Sequence, residues 1–230
     1  MINKLTVIGV GLIGGSFALA LRKAGLVRKI NGLGRSKKNL EHALKLGIID
    51  EASTNYAEAL ERTDLVLIAA PVGQINEILK KIKPFLGAKT IITDVGSTKQ
   101  DIVEAIRLLI PDSIKNFVPS HPIAGAELSG AHAANADLFI GKNIILTPLN
   151  ETNTNSIETL SKLWESCGAS ISMMNPYQHD KLLAMTSHLP HMLAFTFMNY
   201  ISSNNTEENA ESIFNFSGGG FQDFTRIAAS

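Results

Sequence analysis

Residues 5–15, LTVIGVGLIGG, constrain what this chain can fold into more than any other stretch. The apolar run Leu5-Thr6-Val7-Ile8 reads as a buried strand, which breaks into Gly9-x-Gly11-x-x-Gly14 and continues from Ser16 to Leu21 in helix-compatible residues. A dinucleotide fold needs that order of strand, glycine turn and helix. Gly9 permits the turn, Gly11 lets the backbone approach a pyrophosphate, and Gly14 lets the helix pack closely on the sheet. The N–H groups opening the helix then face an anion, which makes Gly9, Gly11, Leu12, Ile13 and Gly14 the expected cofactor-binding segment. Lys4 before an apolar run also suits a secretory leader, but glycines interrupt the apolar core and cleavage would discard the first strand.

The second strand is expected at 29–35, KINGLGR. An NAD-binding fold usually places an acid near its end, on the ribose hydroxyls. Here Arg35-Ser36-Lys37-Lys38 stands instead, small and cationic groups suited to a 2′-phosphate, so NADP is the predicted preference, with NAD possible. The alternative is a set of solvated charges opening the next helix, at 39–46. Further strands at 64–70 and 90–95, and helices at 57–61, 72–85 and 100–110, alternate as an α/β, doubly wound, Rossmann-like sheet requires. Strands at 116–120, 143–149 and 169–174, with a helix at 156–167, are expected to complete the same sheet.

Functional groups in such a sheet gather just past strand ends. Ser97 follows the strand ending TDV, either as a helix N-cap or as a functional hydroxyl. His121 precedes Pro122, which restricts it to extended backbone and aims its ring at a fixed angle, a geometry suited to a general base; a purely structural histidine is the alternative.

From Asn175-Pro176 the apolar spacing becomes helical through Tyr200, which sets the expected domain boundary: 1–174 binds the dinucleotide and 175–230 is helical. Pro190 is predicted to kink that helix or free a carbonyl. His188 and His191 lie three apart on one face, but without HExxH or a second cysteine no metal site is expected. After a polar break at 202–209 and residues 211–216, Gly218-Gly219-Gly220 turns the chain into a last helix.

Lys plus Arg and Asp plus Glu are both 21, so nothing global recruits nucleic acid or a membrane surface, and any anion site must be local. The single cysteine, Cys167, excludes an internal disulfide, fits a reducing compartment and points to packing. No apolar run reaches the roughly 18 residues of a membrane span, which makes the cytoplasm the expected location.

Taken together, GVGLIGGS, TDVGSTK, SHPIAGAELSG, SHLPH and GGGFQDFTRIA closely resemble the prephenate and arogenate dehydrogenases of tyrosine biosynthesis, along the whole chain and in the family's order. The resemblance implies NAD(P)-dependent oxidative decarboxylation of prephenate to 4-hydroxyphenylpyruvate, or of arogenate to tyrosine, or of both by a cyclohexadienyl dehydrogenase. It puts the catalytic histidine on His121 and the serine that orients it on Ser97, with His188, His191 and Arg226 in the substrate pocket. Two histidines and an arginine, with no acid beside SHLPH to greet an ammonium group, favour prephenate. A non-catalytic NADP sensor on the same fold is the competing class, and the joint presence of Ser97, His121 and Arg226 argues against it. Family members carry a longer helical C-terminal domain that supplies most of a dimer interface; this chain is therefore expected to be truncated, and a homodimer is expected of the full-length protein.

Overall fold

The computed structural model describes residues 1–126, 128–204 and 215–229. The expectations for 205–209 and 211–214 lie outside the described residues, as do Glu127 and Ser230. The chain divides into two compact units, Met1–His179 and Asp180–Ser230.

The first unit opens with β1 (Ile2–Ile8), α1 (Leu12–Lys23), β2 (Val27–Leu33), α2 (Lys37–Lys45), β3 (Glu51–Ser53), α3 (Tyr56–Leu60) and β4 (Leu65–Ile68). It continues with α4 (Ile75–Ile82), β5 (Ile91–Asp94), α5 (Gln100–Leu109), β6 (Phe117–Val118), β7 (Ser120–Ile123), β8 (Asn143–Leu146), α6 (Thr154–Ser166) and β9 (Ser170–Met173). Strands β1 to β6 form one parallel sheet in the order β3-β2-β1-β4-β5-β6, the dinucleotide-fold order.

Strand β4 explains why both faces of that sheet are covered. Its four residues LVLI are all buried, and they alternate between two cores. Leu65 and Leu67 join Val7, Phe17, Leu21 and Trp164, whereas Val66 and Ile68 join Ile75, Leu79, Ile102 and Ile106. A continuous apolar run is what a strand between two helical layers requires. In the first core Trp164 packs at a tilt against Phe17 at 4.3 Å between ring centroids and meets Phe139 edge-on at 5.0 Å. Burying each such ring contributes roughly 1.5–3 kcal/mol. Cys167 is buried at the end of α6, as its expected packing role requires.

The later strands do not complete that sheet. β7, β8 and β9 form a separate three-stranded sheet in which β7 runs antiparallel and β9 parallel to β8. Pro119 explains the break: it follows the two-residue β6, has no N–H for the ladder, and its carbonyl accepts instead from Thr147 N at 2.9 Å. His121 therefore sits on a strand paired with β8, opposite Ile145, and not at the end of a parallel strand.

The helical stretch begins with α7 (Pro176–Leu183), passes through a π-helical turn at Ala184–His188 and continues as α8 (Leu189–Ser203). The chain closes with α9 (Gly219–Arg226). Pro190 lies in the first turn of α8, so the expected disturbance is the wide turn just before it, where a missing N–H is accommodated. In the second unit Phe197 meets Phe221 and Phe224, each at 5.8 Å between centroids. No helix among the described residues is long and apolar enough to cross a membrane.

Candidate functional site

The glycine turn can be read atom by atom. Gly9 has φ +96°, and a Cβ there would lie 2.4 Å from the Ala69 carbonyl oxygen; at Gly14 it would lie 2.5 Å from the Gly9 carbonyl oxygen. Both glycines are demanded by the protein's own backbone. Gly11 differs: a Cβ on it would meet nothing within 4 Å, yet it caps α1 without any side-chain hydrogen bond. The open space over Gly11 and the uncapped first turn of α1 form a cradle for an anion, which fits the pyrophosphate of a dinucleotide. When bound, that cofactor supplies a nicotinamide ring that takes up hydride.

This turn opens on a cavity of about 930 Å³ lined by Gly9, Gly11, Arg35, Ser36, Tyr56 and Pro71, among others. Arg35 and Ser36 thus share a cavity with the glycines, although Glu41 and Glu77 line it too. Ser36 also serves locally as the N-cap of α2, its Oγ accepting from Asn39 N at 3.3 Å; the hydroxyl hydrogen remains available to an acceptor. Burial raises the Tyr56 phenol above its ordinary value against the opposing pull of Arg35, and Lys81 Nζ lies 5.7 Å from the Tyr56 ring centroid.

His121 is half-buried, and its Nδ1 lies 2.9 Å from Nε2 of His179, the rings meeting edge to face at 5.1 Å. His179 is fully buried one turn into α7. A hydrogen bond between the two nitrogens needs a proton on one of them. If Nδ1 of His121 carries it, Nε2 of His121 is the nitrogen that takes a substrate proton, and His179 accepts from the resulting imidazolium. The sequence reading missed His179, which stands 58 residues from His121 with no local motif to mark it.

The backbone that carries His121 is held from the end of β5. Asp94 and Lys99 form an ion pair with both side chains fully buried, and Lys99 Nζ also donates to the Ser120 carbonyl at 2.7 Å. Ser120 N donates to Asp94 Oδ1 at 3.4 Å, and Ser120 Oγ lies 3.1 Å from Thr93 Oγ1 and donates to the Asp94 carbonyl. Asp94 Oδ2 further accepts from Gly96 N at 2.7 Å. Burial pushes the Asp94 carboxyl above its usual range, and Lys99 with the two N–H donors pulls it back.

Ser97 is exposed, lies in a bend and is not the helix cap: α5 is capped at Lys99 without a side-chain hydrogen bond. His121 Nδ1 is bonded to His179 Nε2. His188, His191 and Arg226 belong to the second unit. His191 Nδ1 donates to the Ser187 carbonyl at 2.7 Å, directing Nε2 away from its own backbone, and His188 closes the π-helical turn half-buried. Arg226 is exposed at the last position of α9, without an ion pair among the described residues. No group of three possible metal ligands occurs among the described residues.

Two family models match. The prephenate dehydrogenase nucleotide-binding domain matches residues 17–173, and the prephenate dehydrogenase dimerization domain matches residues 175–230. The prephenate dehydrogenase of Bacillus subtilis is 35% identical over 231 residues, covering 100% of this chain, which spans 62% of that protein. The cyclohexadienyl dehydrogenase of Zymomonas mobilis is 34% identical over 228 residues, covering 99% of this chain and 77% of its own length. Among solved structures, prephenate dehydrogenase from Aquifex aeolicus in complex with hydroxyphenyl propionate and NAD+ superposes with a TM-score of 0.92 at 37% identity, covering 100% of this chain and 79% of that one.

Proposed function

The chain belongs to the prephenate dehydrogenase family, and from that premise we propose that it catalyses the NADP-dependent oxidative decarboxylation of prephenate to 4-hydroxyphenylpyruvate, a step of tyrosine biosynthesis. Hydride leaves the ring carbon bearing the hydroxyl, carbon dioxide departs and the ring becomes aromatic. His121 takes the hydroxyl proton on Nε2 as hydride leaves, a base role worth typically about 10²–10⁴-fold. The observation that carries this reading is the buried His179 at Nδ1 of His121, which orients the ring and accepts from its charged form. Ser97 is assigned to orienting His121. Aromatisation drives the reaction forward, so the protein's work is alignment of donor carbon, cofactor and base.

Prephenate carries two carboxylates and the protein has no net charge, so local groups must bind it. His188, His191 and Arg226 are assigned that task, Arg226 as the carboxylate clamp because its planar fork bonds both oxygens at once. Gly9, Gly11, Leu12, Ile13 and Gly14 hold the pyrophosphate. Arg35 and Ser36 hold the 2′-phosphate, which gives the preference for NADP while leaving NAD usable. Residues 1–174 are assigned to the cofactor and 175–230 to substrate and to the interface of a homodimer. The exposed apolar residues of α8 support that interface. The cytoplasm is the proposed location.

The test is the initial rate of reduced nicotinamide formation with NADP or NAD, on adding prephenate or arogenate. Turnover of prephenate, faster with NADP, is expected. Turnover of arogenate alone would overturn the substrate, and equal or better efficiency with NAD would overturn the cofactor preference. Binding of NADP without turnover of either substrate would point to the sensor class.

A further inference from the structure

The buried Asp94–Lys99 ion pair takes no part in the chemistry just described, yet it grips the residue next to the proposed base. We infer that Lys99 is a positioning residue for the reaction: with Asp94 it clamps the Ser120 backbone and thereby sets where the His121 imidazole stands. Lys99 holds the carbonyl of the Ser120–His121 peptide unit, Asp94 takes the N–H on the other side of Ser120, and the Ser120 hydroxyl is engaged by the Asp94 carbonyl and Thr93. Every polar group of Ser120 therefore meets the end of β5 or the turn after it. Lys99, Asp94 and Ser120 are all fully buried, so water does not compete for these bonds.

The clamp answers a difficulty set by the topology. His121 lies on a strand that has left the parallel sheet at Pro119, so the sheet ladder that fixes β5 does not reach it. Rigid connection to the end of β5 is restored by the Lys99 and Asp94 side chains. With His179 fixing the ring at Nδ1, one anchor acts on the backbone and the other on the imidazole. A displacement of the base by about 1 Å is enough to cost on the order of 10²-fold in rate. A buried ion pair is weak evidence for stability by itself, which leaves specification of geometry as the reason for this one.

The inference rests on the proposed role of His121, and its test separates the two. In Lys99→Met, kcat with prephenate is expected to fall about 10–100-fold, with prephenate KM and NADP affinity kept within about 3-fold. In histidine-labelled protein without substrate, the His121 imidazole signals should shift or broaden while those of His42 on α2 stay in place. A folded Lys99→Met variant with native kcat and unmoved His121 signals overturns the clamp. If the wild-type chain turns over neither substrate, the functional reading fails, while the His121 signals still decide the clamp. Lys99→Met leaves a buried carboxylate without its partner, and where that prevents folding, the uncharged double variant Asp94→Asn/Lys99→Met carries the test. Its expected result is the same loss of about 10–100-fold in kcat with the same His121 shift; native kcat with unmoved signals would again overturn the inference.

Discussion

In the unit Met1–His179, successive residues of β4 are shared between two closed cores, in which Trp164, Phe17, Phe117 and Phe139 are fully buried. In the unit Asp180–Ser230, Leu189, Met192, Leu193 and Tyr200 are each at least half exposed (50%, 67%, 52% and 67%), and Leu183 and Ala194 are its buried apolar residues among those described. The first unit closes a core by itself, whereas the second holds more apolar surface than a segment of its size can cover. His121, the proposed base, lies on the first unit with His179 and Lys99, whereas His188, His191 and Arg226, the groups proposed to bind the substrate's charge, lie on the second.

The largest expected effect probes the first unit. His121→Ala should lower kcat about 10²–10⁴-fold with little change in NADP affinity measured by nucleotide fluorescence. A change confined to KM would place the base elsewhere and break the comparison. Arg226→Ala should do the reverse: removal of a charge-assisted clamp worth about 1.5–3 kcal/mol raises the prephenate KM roughly 10–100-fold and spares kcat. A defect in kcat alone would contradict its assignment to substrate binding.

The glycine turn allows the comparison to be sharpened within one motif. Gly14→Ala must displace backbone at 2.5 Å and should cost about 1–3 kcal/mol of stability, read as a lower midpoint in urea. Gly11→Ala meets nothing in the protein and should leave that midpoint unchanged while weakening NADP binding. Equal stability losses in the two variants would mean that Gly11 answers to the fold and not to the ligand.

These contrasts also mark what was legible in the chain. The glycine turn, β4 and the helices around them follow from local signals, periodicity and glycine chemistry, so five strands of the parallel sheet could be read in order; the three-residue edge strand β3 (Glu51–Ser53) has no apolar run to mark it and was not expected. The departure of β7 could not, because it depends on which strand β8 finds as a partner, and short apolar runs carry no record of that; Pro119 was the available cue. At the site, His121 and Arg35 stood in recognisable surroundings, while His179 and the Asp94–Lys99 clamp act through contacts that no spacing announces. Ser97 showed the opposite error: a serine after a strand looks like a cap, but the turn continues to Lys99 because Lys99 is drawn inward to Asp94.

The smallest expected effect tests how tightly the first unit is closed. Burial pushes the Cys167 thiol up to about 12. An unfolded thiol titrates near 8.5, so between those values the unfolded chain gives up its proton while the folded one keeps it. Stability is then fully present below about pH 8.5 and declines as pH rises toward 12, by about 2 kcal/mol at pH 10 for this group alone. Urea unfolding of the wild type and of Cys167→Ala at pH 8 and pH 10 isolates that contribution. The wild type should lose more stability than the variant over this interval, and native Cys167 should resist alkylation at pH 8 while the unfolded chain reacts. Parallel losses in both proteins, or rapid alkylation of the native thiol, would mean that the first core opens as readily as the second unit's exposed face, and the contrast between the two units would fail at its most deeply sealed end.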